Sequence, residues 1–233
     1  GMSAGLLGQA GGKKLPGLRK PFSGKELRKN EKTEMLESKL QLRRVRLNSD
    51  RERTMEQFHA TTIVVVRRSE QDICIGGDGQ VTMGQNAVMK HTAKKVRKIY
   101  KNTVITGFAG SVSDAFALTD KFEKKLEEHG GNLKRAAVAL AQLWRSDKVM
   151  RNLEALMIAA DRETILLISG NGEVIEPDSN FVAIGSGGNY AHAAAHALYE
   201  HTEMTAEEIV REALRIAASI CVYTNDHISV EKL

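Results

Sequence analysis

The sequence predicts an α+β domain in which two β-sheets are stacked between two layers of helices. Short runs of β-branched and apolar residues, bounded by turn residues, are grouped at residues 62–75 and again across residues 155–184. Two pairs of segments with helical apolar spacing accompany these groups. Because strands and helices come in groups and do not alternate strictly, this order favours a layered sandwich over a parallel, doubly wound sheet.

The first strands begin where the composition changes at Thr61. Thr62–Val66 and Asp72–Ile75 are predicted to form a hairpin, with the polar residues between them as its turn. Residues 94–100 have the pattern of a short helix, and residues 103–109 predict another strand that ends at Gly110. The remaining strands are predicted at residues 155–160, 164–169, 173–175 and 181–184.

The helices are predicted from apolar residues at helical spacing, over residues 113–128, 133–149, 190–200 and 206–218. Asn132 is placed to cap the second helix. Thr205 and Glu208 form the pattern of a capping box at the start of the fourth. Short connections within each pair indicate that its two helices pack side by side.

Residues 1–60 differ from the rest of the chain. They carry 14 of the 34 Lys and Arg residues but only 7 of the 29 Asp and Glu residues, so this segment has a net charge of +7 and the rest of the chain −2. A folded face that binds nucleic acid is therefore not indicated. The segment is predicted to be a basic, mostly disordered N-terminal extension or propeptide with a polar helix over residues 35–45. A mitochondrial presequence is the alternative. Residues 61–233 form the predicted folded domain.

The composition argues against several other classes of protein. No run of about 18 apolar residues indicates a membrane span, and no signal peptide is evident. The two cysteines, Cys74 and Cys221, lie in apolar segments without CxxC spacing, which favours a cytoplasmic protein over a zinc ribbon or a disulfide scaffold. The glycine-rich residues 185–188 lack the acid of a dinucleotide fingerprint, so no organic cofactor is expected.

The position of Thr61 gives it a chemical interpretation. A hydroxyl before a strand is ordinarily a surface or capping group, but Thr61 stands where the extension meets the folded domain. Proteolysis there would expose an α-amine with a pKa of about 8, which is a suitable base for the hydroxyl of the same residue. Until that cut the nitrogen is an amide and has no basicity. The side chain of Thr62 alternates to the opposite face of the strand, so Thr62→Ala is expected to lower turnover much less than Thr61→Ala.

Six segments carry a family resemblance. In chain order they are HATTIVVV, GGDGQVTMG, VMKHTAKKVRKIY, GFAGSVSDAF, LEALMI and AIGSGGNYA. Over residues 61–233 the chain closely resembles the HslV (ClpQ) peptidases, bacterial relatives of the proteasome β subunits, and HATTI and NYA resemble the Bacillus-type branch. The resemblance implies the αββα fold of N-terminal nucleophile hydrolases and the activity of a threonine-type endopeptidase. It also implies a homododecamer of two stacked hexameric rings and a ring-shaped AAA+ unfoldase of HslU (ClpY) type that supplies unfolded polypeptide.

The same resemblance assigns roles to individual residues. It makes Thr61 the nucleophile, with its own amine as base, and places the charge of Lys95 near the hydroxyl. Asp78 holds this lysine, and the backbone N–H of Gly110 faces the substrate oxyanion. Without the resemblance, the basic residues 94–98 would be interpreted as a solvated face, and Asp78 and Gly110 as turn or strand-end residues.

Three further positions complete the implied site. Ser186 matches the serine that orients the amine, with an ordinary turn serine as the alternative, and Thr224 supports the same network. Cys221 stands where proteasomes have an acid. The backbone carbonyls of Ala218, Cys221 and Thr224 resemble the family's cation site, and such oxygens suit a hard ion such as sodium, potassium or magnesium.

Two other functions remain open from the sequence alone. N-terminal nucleophile chemistry also serves small-molecule amidases. An interaction protein could instead use the basic extension on nucleic acid or another acidic partner.

Overall fold

The layers of the domain are visible in a computed structural model, which describes residues 41, 58–59, 61–83, 87–110, 112–148, 150 and 155–233. The chain divides into the units Gly1–Met55 and Glu56–Leu233. The predictions of disorder and of a polar helix before residue 56 fall almost wholly outside the described residues. All elements given below belong to the second unit.

The strands and helices follow the chain in an order that groups strands before each helix pair. They are β1 (Phe58–His59), β2 (Thr62–Ser69), β3 (Asp72–Gly77), β4 (Val81–Met83), β5 (Ala87–Lys90), β6 (Val96–Ile99), β7 (Val104–Ala109), α1 (Val112–Glu128), α2 (Leu133–Ser146), β8 (Leu156–Ala160), β9 (Ile165–Ser169), β10 (Val174–Ile175), β11 (Phe181–Gly185), α3 (Gly188–His201), α4 (Ala206–Ile220) and β12 (Ser229–Lys232).

Two antiparallel sheets form the centre of the sandwich. One has the strand order β11-β2-β3-β12 and the other has the order β10-β9-β8-β7-β6. Helices α3 and α4 pack on the first sheet, and α1 and α2 pack on the second. The predicted four-layer order of helices, sheet, sheet and helices is confirmed.

Strand alternation explains how β2 serves two cores. Ile63 and Val65 lie in the core between the sheets, whereas Val64 and Val66 lie in the core under α3 and α4. All four side chains are fully buried. A continuous apolar run is therefore what a strand covered on both faces requires.

The predicted helix over residues 94–100 is wrong, because this segment contains strand β6. Val96 and Ile99 have the i, i+3 spacing of a helix face, but they point to opposite sides of the sheet: Val96 into the core between the sheets and Ile99 into the core under α1 and α2. Pairing of Val96 with Gly107 and of Ile99 with Val104 fixes the strand. Tertiary pairing overrides the local pattern here.

Other elements differ from the prediction at their ends. Helix α2 stops at Ser146 because Asp147 is extended and donates its backbone N–H to Leu143 O. The side chains of Asn132 and Thr205 cap α2 and α4 as predicted. Strands β4, β5 and β12 were not predicted, since they are short or half polar. Strand β1 lies within the segment predicted to be mostly disordered, and it pairs with β4.

Among the described residues no helix is long and apolar enough to cross a membrane.

Candidate active site

Thr61 lies at the start of β2 and is held by a glycine-rich loop. Although it is polar, only 4% of Thr61 is exposed. The backbone N–H of Ser186 donates to the Thr61 carbonyl oxygen at 2.9 Å. Gly185 has a φ of +93°, and a Cβ at this position would overlap the same carbonyl oxygen. Glycine is therefore required on two counts, its backbone conformation and the close approach of Thr61.

Asp78 and Lys95 form a buried ion pair beside this strand. Lys95 Nζ lies 2.8 Å from Asp78 Oδ1, and the two side chains are 5% and 0% exposed. Burial lowers the pKa of Lys95 from its ordinary value, and the Asp78 carboxylate opposes that shift. The ion pair therefore offsets part of the shift that burial causes.

The Asp78 carboxylate also binds three backbone N–H groups. Its Oδ1 accepts from Thr62 at 2.7 Å, and its Oδ2 accepts from Gln80 at 2.9 Å and from Asn225 at 3.4 Å. A buried charge with this many donors is well compensated. Because the same oxygen binds Thr62 N–H and Lys95 Nζ, Asp78 fixes the peptide after Thr61 relative to the lysine.

The side chain of Thr62 belongs to the same region and takes part in its hydrogen bonds. It is fully buried. Its Oγ1 accepts the N–H of Gly187 at 3.0 Å and lies 2.7 Å from Thr224 Oγ1. The alternation along the strand is as predicted, but the opposite face is occupied by the glycine-rich loop and by Thr224. A polar residue buried in this way depends on its hydrogen bonds.

An open cavity lies beside Thr61, Lys95 and Gly110, which all contribute to its lining. Phe108 forms part of its wall. A Cβ on Gly110 would lie 2.8 Å from the Phe108 ring and 2.9 Å from the Ala155 Cβ, so a side chain would not fit there. Three residues that are distant in sequence thus meet at one cavity.

The basic run separates into residues with different surroundings. Lys94 and Lys98 are exposed, whereas Lys95 turns inward to Asp78. The interpretation as a solvated face therefore fits Lys94 and Lys98 but not Lys95.

Ser186 contacts Thr61, and Thr224 contacts Thr62. The Ser186 side chain is exposed, and the contact with Thr61 described above comes from its backbone N–H. Thr224 is buried, and its Oγ1 lies 2.7 Å from Thr62 Oγ1.

The three carbonyls assigned to a cation lie where helix α4 ends. Ala218 is in the last turn of α4, where carbonyls lack partners within the helix. Cys221 O accepts the N–H of Thr224 at 3.0 Å, which leaves its second lone pair for another ligand. Among the described residues no group of three or more His, Cys, Asp or Glu side chains could hold a metal ion. A hard cation held by backbone oxygens is the kind of site that these residues fit.

Sequence reasoning did not identify Asn225, Gln80 or Gly187 as parts of the site. A Cβ on Gly187 would overlap Thr62 Oγ1. Gln80 is buried and donates from Nε2 to Val222 O at 2.9 Å. None of these three residues has a local pattern that distinguishes it from an ordinary turn residue, because their partners lie far away in the sequence.

Comparison with known proteins agrees with this geometry. Residues 57–233 match the family described as proteasome subunit. The chain is 61% identical over 176 residues to the ATP-dependent protease subunit HslV of Caldanaerobacter subterraneus subsp. tengcongensis, covering 76% of this chain and 99% of that protein. It is 60% identical over 179 residues to the same-named subunit of Listeria innocua, with the same coverage.

Solved structures give the same result. The crystal structure of eukaryotic HslV from Trypanosoma brucei superimposes with a TM-score of 0.69 at 46% identity, covering 73% of this chain and 97% of that chain. Thiobacillus denitrificans BPH, at 21% identity and a TM-score of 0.58, is similar in fold alone. The chain belongs to the proteasome subunit family. The predicted resemblance to HslV, the fold class and the class of threonine-type peptidase are confirmed.

Proposed function

We propose that the working enzyme begins at Thr61 and cuts peptide bonds of unfolded polypeptides as the peptidase subunit of an ATP-dependent protease. In this proposal residues 1–60 are a propeptide or extension, and residues 61–233 are the peptidase domain. The observation that carries the proposal is the shared contact of Asp78 Oδ1 with Thr62 N–H and Lys95 Nζ. This contact holds a buried lysine at the residue pair that contains the nucleophile.

The chemistry follows from the groups around the cavity. Thr61 Oγ1 attacks the scissile carbonyl carbon while its proton passes to the Thr61 α-amine, and Lys95 stabilises the developing negative charge on oxygen. The N–H of Gly110 stabilises the oxyanion. The amine returns the proton to the leaving nitrogen as the C–N bond breaks, which leaves an ester on Thr61. Water, activated by the same amine, then hydrolyses the ester. Ser186 and Thr224 orient the amine and its surroundings.

Activation requires a cut before Thr61. In the uncut chain its nitrogen is an amide and cannot serve as a base. Pairing of β1 with β4 holds Phe58 and His59, the third and second residues before the cut. We expect the site itself to cut the peptide bond after Ala60, since Thr61 and Lys95 line one cavity. Thr61 Oγ1 attacks the Ala60 carbonyl carbon, a water molecule carries the hydroxyl proton to the Thr61 nitrogen as the C–N bond breaks, and water then hydrolyses the resulting ester.

The protein depends on a partner to unfold its substrates. A folded substrate is stable by about 5–15 kcal/mol, and the chain has no GxxxxGK[ST] motif with which to use ATP. The relatives are named as subunits of an ATP-dependent protease. We therefore propose a cytoplasmic homododecamer of two hexameric rings that works with an AAA+ unfoldase of HslU (ClpY) type. A sodium, potassium or magnesium ion on the carbonyls of Ala218, Cys221 and Thr224 would stabilise the loop that carries Thr224. The proposed reaction uses no organic cofactor, nucleic acid or membrane.

Substitutions of Thr61 and Lys95 test the site directly. Thr61→Ala and Lys95→Ala should each lower kcat on a short fluorogenic peptide by at least about 100-fold without loss of the rings. Lys98→Ala is the matched control, since Lys98 is exposed and is not among the residues that line the cavity, and it should stay within twofold of wild type. Normal hydrolysis by Thr61→Ala would refute the proposed nucleophile.

Degradation of a stably folded protein tests the partner. Purified rings mixed with the cognate ATPase should degrade it only when ATP is present. Equal degradation by the rings alone would contradict a closed, partner-dependent protease and would favour an open hydrolase.

A further inference from the structure

The side chain of Asn225 joins the two segments that carry Asp78 and Lys95. Its Nδ2 donates to His91 O at 2.9 Å, and its Oδ1 accepts the N–H of Gly79 at 3.0 Å. Gly79 directly follows Asp78, and His91 lies four residues before Lys95. One amide group thus connects the turn that holds the acid to the loop that leads to the lysine.

Additional contacts determine how this amide is oriented. Asn225 Oδ1 also accepts the N–H of His227 at 3.3 Å, which leaves Nδ2 facing His91 O. The backbone N–H of Asn225 lies 3.4 Å from Asp78 Oδ2. Among the described residues two further contacts join these segments: Ala93 N–H donates to Gly79 O at 2.9 Å, and Lys95 Nζ lies 2.8 Å from Asp78 Oδ1. The amide bridge is therefore a substantial part of what sets their separation.

We propose that Asn225 is a positioning residue: it sets the separation and orientation of Asp78 and Lys95 and so controls the reactivity of Thr61 without touching the substrate. The inference rests on the proposed function above. Asn225 is not among the residues that line the cavity beside Thr61. Loss of the bridge should therefore lower kcat and leave KM nearly unchanged, because displacing a catalytic group by about 1 Å can cost about 100-fold in rate.

Two substitutions separate positioning from stability. Asn225→Ala removes both side-chain bonds. Asn225→Asp has the same size and keeps the acceptor for Gly79, but it places a carboxylate oxygen against His91 O and so breaks that bond. Asn180→Ala is the matched control, because Asn180 is also a bridging asparagine, accepting from Arg67 Nη2 at 2.7 Å and donating to Tyr199 Oη at 3.2 Å.

The experiment measures kcat and KM on a short fluorogenic peptide, together with the melting temperature and the mass of each variant. We expect both Asn225 variants to assemble and to lose about 10- to 100-fold in kcat, with KM within twofold of wild type. Asn180→Ala should keep kcat within twofold even if it melts earlier. A folded Asn225 variant that retains residues 1–60 also supports the proposal, because removal of these residues uses the same groups.

The proposal would be overturned if both Asn225 variants kept kcat within threefold of wild type, or if they raised KM with kcat unchanged. Failure of both variants to fold would also overturn it, because Asn225 would then act on stability. Lys95→Ala is measured alongside. If Lys95→Ala is active, the proposed site fails. If Lys95→Ala is inactive while the Asn225 variants are normal, only the positioning role fails.

Discussion

Replacement of Thr62 by valine should destabilise the protein clearly, although valine has nearly the same shape. The threonine Oγ1 accepts the N–H of Gly187 at 3.0 Å and pairs with Thr224 Oγ1 at 2.7 Å, and the side chain is fully buried. A buried donor left without a partner costs about 1–3 kcal/mol, and the Thr224 hydroxyl can recover part of its loss by rotating. Together these losses amount to about 2–4 kcal/mol of unfolding free energy.

Thermal unfolding at fixed protein concentration measures this loss. In a domain of this size 1 kcal/mol corresponds to a change of about 2–4 °C in Tm, so Thr62→Val should melt roughly 5–15 °C below wild type. Thr62→Ser is the matched control, because it keeps the hydroxyl and should recover most of that difference. A decrease below about 2 °C for Thr62→Val, or equal losses for valine and serine, would refute the assignment to these hydrogen bonds.

Two further predictions concern the glycine-rich loop and the buried thiol. Gly185→Ala should prevent cleavage before Thr61, because a Cβ at residue 185 would overlap the Thr61 carbonyl oxygen and the φ of Gly185 is +93°. Intact mass should show residues 1–60 still attached, and normal processing of the variant would contradict this prediction. Burial raises the pKa of Cys74 to about 12, so at pH 8 only about one thiol in 10,000 is ionised. Iodoacetamide should therefore label Cys74 only after unfolding in urea, and rapid labelling of the native protein would show that the thiol is accessible.

Much of the fold could be predicted because its signals are local. The apolar run at the start of β2 and the caps at Asn132 and Thr205 depend on neighbouring residues. Strand β6 could not be predicted in this way. The burial of Val96 and Ile99 on opposite faces is set by β7 and by two different cores.

The candidate site was predictable from motifs but its connections were not. Thr61, Asp78 and Lys95 lie in segments whose order resembles a known family. By contrast, Thr62 contacts Thr224 across 162 residues, and Asn225 reaches Asp78 across 147. No local pattern specifies such contacts, because the folded sheets alone bring the partners together.

The N-terminal residue of the active enzyme tests the central claim most directly. Intact mass and N-terminal sequencing should be carried out on particles that hydrolyse peptide, with the active subunits marked by a reagent that forms an adduct with the nucleophile. The account predicts that every active subunit begins at Thr61 and carries the adduct on that residue. Full activity in subunits that retain Ala60 and the residues before it would contradict the account, because the nitrogen of Thr61 would then be an amide and could not act as the base.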